Sequence, residues 1–145
     1  KKQINKKFLL VYGLGWHCSY LVYWQQASTI GWTKETIQPD LWYDDDDDYI
    51  KAIVGSLERE IERLEWTPDT ILLSYHNVPK ITLDKGDPYY CQCIKTTRLI
   101  REQMKPYNIP IETVFQSRLG RKKDWFDPAL DETLKKICGT KFLRF

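Results

Sequence analysis

Long apolar runs are missing from this 145-residue chain. The longest, Phe8 to Tyr12 and Tyr20 to Trp24, fall far short of the roughly 20 residues that span a bilayer, so a transmembrane helix is excluded. Charge of one sign is missing too. Twenty-two basic residues against twenty acidic ones leave +2, too balanced for the chain as a whole to seek nucleic acid or another polyanion. Cysteine is scarce, with four residues of which only Cys91 and Cys93 lie close together. Residues two apart rarely meet the geometry of a bridge, so a disulfide framework is not expected and a reducing compartment is. With seven glycines, seven prolines, 42% hydrophobic and 29% charged residues, the composition excludes collagen-like, mucin-like and wholly disordered chains. The length suits one domain. Four lysines in the first seven residues precede an apolar stretch, but Gly13 to Cys18 offers no clear signal-peptide cleavage site. The sequence begins with Lys and stops at Phe145 as a new apolar segment starts, so a fragment is expected.

Residues 1 to about 40 carry Trp16, Trp24 and Trp32 without a sustained period, although Phe8 to Tyr12 could be a strand. Gly13-Leu14-Gly15 lacks the third glycine of a dinucleotide fingerprint, Cys18 standing in its place, and reads as a turn. From Asp44 the pattern becomes regular. Five aspartates precede Ile50, Ile53, Val54, Leu57, Ile61 and Leu64 at helical spacing, predicting a helix over about 47–65. The aspartates sit where a helix N-terminus exposes unpaired N–H groups, so capping is preferred to a Mg or Ca site, for which consecutive carboxylates diverge too much. Thr70 to Tyr75 predicts a buried strand, Tyr89 to about Lys105 a helix with Tyr90, Cys93, Thr97, Ile100 and Met104 inward, and Ile111 to Gln116 a second strand. A basic loop, a helix over about 128–137, a stop at Gly139 and a third strand from Phe142 complete the series. Such alternation predicts an α/β fold, a parallel sheet flanked by helices.

Open parallel sheets gather ligands at the carboxyl ends of their strands, and two loops leave such ends here, Ser74 to Pro79 and Gln116 to Pro128. The first holds His76, one of two histidines, whose imidazole can take a proton near neutral pH or bind a transition metal. The second holds Arg118, Arg121, Lys122 and Lys123 beside Trp125 and Phe126; cations beside aromatic faces suit a flat anionic ligand. Bland readings stand beside these: a hydrogen-bonded structural histidine, a tryptophan plugging the core, a solvated basic turn. Cys91 and Cys93 face about 200° apart on a helix and so cannot readily grip one ion with His76. One buried and one exposed thiol is expected. Asp124 and Asp127 oppose a phosphate-tracking stripe along Arg118 to Lys123, so no nucleic-acid partner is expected.

Ser74-Tyr75-His76-Asn77-Val78-Pro79, then Gly86-Asp87-Pro88-Tyr89, then Phe115-Gln116-Ser117-Arg118-Leu119-Gly120, Trp125, Pro128 and Asp131-Glu132-Thr133 resemble the ferrochelatase family in order and spacing. Tyr43 to Ile50 is similar to the segment before the family's histidine strand, so the resemblance covers about residues 42–137. Gln26 to Thr29 faintly resembles a family stretch rich in serine and threonine. The resemblance implies a chelatase fold of two Rossmann-like halves with a porphyrin in the cleft between them. Residues 42–145 would supply a partial C-terminal α/β domain, after a poorly matched segment 1–41. It also implies insertion of ferrous iron into protoporphyrin IX, with Fe²⁺ as the substrate metal; no further cofactor is implied, and the cysteines present do not support an iron–sulfur cluster.

Under that resemblance His76 is the catalytic residue and metal ligand. A neutral imidazole serves as ligand or as base, not both at once. Trp125 would lie against the porphyrin, with Tyr75, Phe126 and, by charge alone, Arg118 as further porphyrin-binding residues. Gly86 to Tyr89 would set a turn and a helix start. The sequence departs from the family pattern at Asn77, Val78 and Leu119, and the loop before Trp125 is about one residue longer. The family's catalytic glutamate lies on a segment beyond Phe145, so the isolated chain is expected to insert no iron. A cytoplasmic location is expected, with peripheral membrane contact left open. The competing readings are a chelatase for another tetrapyrrole (coproporphyrin, or a cobalt-inserting relative) and a non-catalytic binding fragment.

Overall fold

A computed structural model describes residues 6–14, 45–118 and 124–138. Strand β2, Thr70–His76, is the axis of the arrangement. Its run Thr-Ile-Leu-Leu-Ser-Tyr is buried on both faces, as a central parallel strand requires. On one side it pairs in parallel with β1, Phe8–Leu14, through Leu9↔Ile71 and Val11↔Leu73. On the other it pairs in parallel with β3, Ile111–Gln116, from Ile71↔Ile111 to His76↔Gln116. The order β1-β2-β3 gives the expected α/β sheet. Gly13-Leu14 lies inside β1 and not in a turn, because pairing continues to Leu14↔Tyr75 after a register shift beyond Val11. Arg121 to Lys123, Gly139, Phe142 and the tryptophans at 16, 24 and 32 lie outside the described residues.

Helix α1, Asp47–Arg63, follows Asp46, whose carboxylate accepts a 2.8 Å hydrogen bond from the Tyr49 amide, while Asp47 and Asp48 occupy the first turn. Asp46 thus caps the helix and Asp47 and Asp48 compensate its dipole, while Asp45 pairs with Lys95 of the next long helix. Helix α2, Tyr89–Gln103, opens after Gly86, whose φ of +86° suits glycine, and Asp87, whose carboxylate accepts from the Tyr89 amide at 3.0 Å. Helix α3, Leu130–Cys138, follows β3.

Pleating sorts the strand residues into two cores. Ile71, Leu73, Tyr75, Ile111 and Phe115 face α1 and α2, meeting Ile50, Val54, Leu57, Cys93 and Ile100. Leu72 and Val114 face α3 and meet Leu130. Buried hydroxyls join the layers on the first face: Tyr75 Oη lies 3.0 Å from Thr97 Oγ1, which accepts from Thr113 Oγ1 at 2.9 Å. Cys91 is exposed and Cys93 buried, as the helical spacing predicts.

Leu73 is fully buried at the centre of this sheet. Leu73→Ala is expected to lower unfolding free energy by about 3 kcal/mol in urea titration, the cost of an unrelaxed core cavity. A loss below about 1 kcal/mol would contradict the central position of β2.

Candidate functional site

Strands β2 and β3 end level with each other, His76 opposite Gln116, and the ladder runs one step further as the Asn77 amide donates to the Gln116 carbonyl at 2.7 Å. His76 is the first exposed residue after six buried ones. By strand alternation its side chain shares the face of Leu72 and Ser74, opposite Tyr75. Its carbonyl accepts a 2.9 Å hydrogen bond from the hydroxyl of Tyr89, the first residue of α2. Burial raises the Tyr89 hydroxyl well above the usual tyrosine range, so it remains a neutral donor. An imidazole open to solvent therefore stands on a backbone fixed from both sides.

The Trp125 loop returns to this same end. Pro79, three residues beyond His76, forms an antiparallel bridge with Trp125, and the Lys80 amide donates to the Asp124 carbonyl at 2.8 Å. The Lys80 ammonium lies 3.2 Å from Asp124 and 3.6 Å from Asp127. Its hydrogen bond to Asp124 raises its pKa above the ordinary lysine value, a pull that the two nearby carboxylates reinforce. Arg118 reaches the other side of the loop, to Asp127 at 3.0 Å and to Glu132 of α3 at 3.1 Å.

The residues singled out in the sequence thus occupy different depths. His76 is exposed and Trp125 half-buried at the rim. Tyr75 is buried toward α2 and bonded to Thr97, and burial pushes its hydroxyl well above the usual tyrosine pKa. Phe126 is buried beneath the loop, stacked on Tyr90 with ring centroids 4.1 Å apart and planes 16° apart. Phe115 completes the aromatic floor, 5.7 Å from Tyr90 and 5.9 Å from Phe126. Arg118 is engaged by two carboxylates. Among the described residues no three His, Cys, Asp or Glu side chains come together as a metal cage. Sequence reasoning gave Lys80 no role; Tyr90 was expected only as an inward residue of its helix, Asp127 only as an acid opposing the basic stretch, and Asn77 only as a departure from the family pattern.

The family model for Ferrochelatase matches residues 19–144. The chain belongs to the ferrochelatase family. It is 43% identical over 96 residues to a ferrochelatase of Rhizobium etli, a match covering 66% of this chain and 28% of the relative. Against a ferrochelatase of Rhizobium meliloti it is 41% identical over 115 residues, 79% of this chain and 31% of the relative. A ferrochelatase of Agrobacterium fabrum is 38% identical over 97 residues, 67% and 28% of the two chains. The chain thus spans about three-tenths of the length of these ferrochelatases. No helix among the described residues is long and apolar enough to cross a membrane.

The tie between Tyr89 and His76 is open to a direct check. Tyr89→Phe is expected to lower stability by about 1 kcal/mol in urea titration, the net worth of one hydrogen bond, and to broaden the His76 ring resonances in NMR. Unchanged His76 resonances would contradict the anchoring of His76 through Tyr89.

Proposed function

We propose that this chain supplies one wall of a tetrapyrrole site at which ferrous iron replaces the two pyrrole protons of protoporphyrin IX, releasing haem and two protons. Membership of the ferrochelatase family supports the reaction. The observation that carries the site is the exposed His76 at the carboxyl end of the central parallel strand, with the Trp125 loop bridged to the segment that follows it. This is the edge of an open α/β sheet where ligands collect.

Insertion requires that two N–H protons leave, that iron arrive partly dehydrated, and that the macrocycle be held with its nitrogen lone pairs toward the metal. His76 meets the metal or the pyrrole protons, since a neutral imidazole offers one lone pair for either task. Trp125 lies against the macrocycle, a flat apolar ring suited to stacking and to holding a bent disc. Tyr75 and Phe126 act from beneath, filling the floor that supports the rim. Arg118 braces the Trp125 loop against α3, its charge paired with Asp127 and Glu132, and offers a propionate only its remaining N–H donors. Cys91, Cys93 and Cys138 form no disulfide among the described residues, which fits the reducing cytoplasm, where we place the reaction.

The test replaces the matching segment of the Rhizobium meliloti ferrochelatase with residues 45–138 and measures iron insertion. The hybrid is expected to turn over, and His76→Ala to lower kcat by about a hundredfold or more while porphyrin affinity changes little. Trp125→Ala is expected to act mainly on porphyrin KM. A His76→Ala hybrid with undiminished turnover would overturn the proposal.

A further inference from the structure

Asn77 is 1% exposed, and both ends of its amide are spent on one residue 49 positions away. Its Nδ2 donates to the Phe126 carbonyl at 3.0 Å, and its Oδ1 accepts from the Phe126 amide at 3.1 Å. The side chain therefore does what a neighbouring strand would do, satisfying the backbone donor and acceptor of a loop residue together. The Asn77 backbone N–H donates to the Gln116 carbonyl, so the clamp itself is mounted on the end of β3.

Trp125 stands between two held residues. On one side the Asp124 carbonyl accepts from the Lys80 amide, and on the other Asn77 holds Phe126. The Phe126 ring is stacked on Tyr90, a side-chain contact added to the loop's backbone contacts. We infer that Asn77 is a positioning residue: it fixes the Trp125 indole relative to His76 and so sets the affinity for the flat tetrapyrrole. The inference rests on the site proposed above, and it concerns a residue that touches neither substrate nor metal. Because the amide is buried, removing it strands the N–H and C=O of Phe126 away from water, and the loop must open to satisfy them.

The geometry makes separate demands of two variants. Asn77→Ala removes both contacts. Asn77→Asp keeps the acceptor for the Phe126 amide but sets a carboxylate oxygen against the Phe126 carbonyl. Amide exchange in the chain without porphyrin is the first readout, with Phe126 exchange expected to quicken by about tenfold or more in Asn77→Ala while the β2 amides stay protected. Unchanged exchange at Phe126 would overturn the clamp.

The second readout is deuteroporphyrin titration by fluorescence, using Asn77→Ala, Asn77→Asp, Trp125→Ala and the double variant Asn77→Ala/Trp125→Ala. Each single variant is expected to weaken binding, and the double variant to bind no more weakly than Trp125→Ala alone, because Asn77 acts through the indole. Additive losses would show that Asn77 acts on the fold at large and would overturn the inference. The same holds if Trp125→Ala weakens binding while Asn77→Ala does not. If Trp125→Ala itself leaves porphyrin affinity unchanged, the failure lies with the proposed site, and the role of Asn77 in affinity falls with it whatever the exchange data show.

Discussion

Everything at the rim depends on β2 being hydrogen-bonded on both sides and buried on both faces up to Tyr75. A strand locked in this way cannot slip by one residue without turning its apolar set to the wrong face. The position of His76 is therefore decided by the register Ile71↔Ile111 to His76↔Gln116, well before any contact made by the imidazole. His76 is the one exposed side chain between buried Tyr75 and buried Asn77, and it is the one able to carry a proton or a metal.

A second constraint works from the far side. The loop bearing Trp125 has little regular structure, yet it is tied to the segment after β2 by the Pro79 bridge, the Lys80–Asp124 contacts and the Asn77 amide. Behind it lies an aromatic floor of Tyr90, Phe115 and Phe126. Exposed ion pairs such as Arg118–Asp127 contribute little stability singly, so the buried amide and the stacked rings carry the placement of the loop. Buried support beneath and an exposed rim above suit the flat ligand of the proposed function.

Much of the fold was legible in the sequence because its signals are local. Apolar spacing from Ile50 to Leu64 predicted α1, which ends at Arg63 because Leu64 turns to extended backbone. The runs at Thr70 and Ile111 predicted two strands within one residue of their ends. Helix α3 starts later than its pattern suggested, since Pro128 and Ala129 are drawn into contact with Phe115: the Pro128 carbonyl accepts from the Phe115 amide and Ala129 bridges it. Tyr90 was expected inside α2 and is half-buried, while its neighbour Tyr89 is the one fully enclosed. His76 and Trp125 stand out in the sequence through their loops and the family pattern, and the structure places both at the same end of the sheet. The burial of Tyr75 was legible from its apolar run, but that of Phe126 was not, because it depends on which sheet face meets α2. Nor could the pairing of Asn77 with Phe126 be read, since nothing local marks a contact between residues 49 apart.

The central claim is that His76 and Trp125 stand at one rim and face the same disc. NMR titration of the chain with metal-free deuteroporphyrin tests it most directly, because the ring current shifts nuclei close to the macrocycle. The account predicts that the His76 imidazole protons and the Trp125 indole N–H shift together, with one dissociation constant. Shifts at either residue without the other, or shifts confined to residues far from the carboxyl ends of β2 and β3, would contradict it.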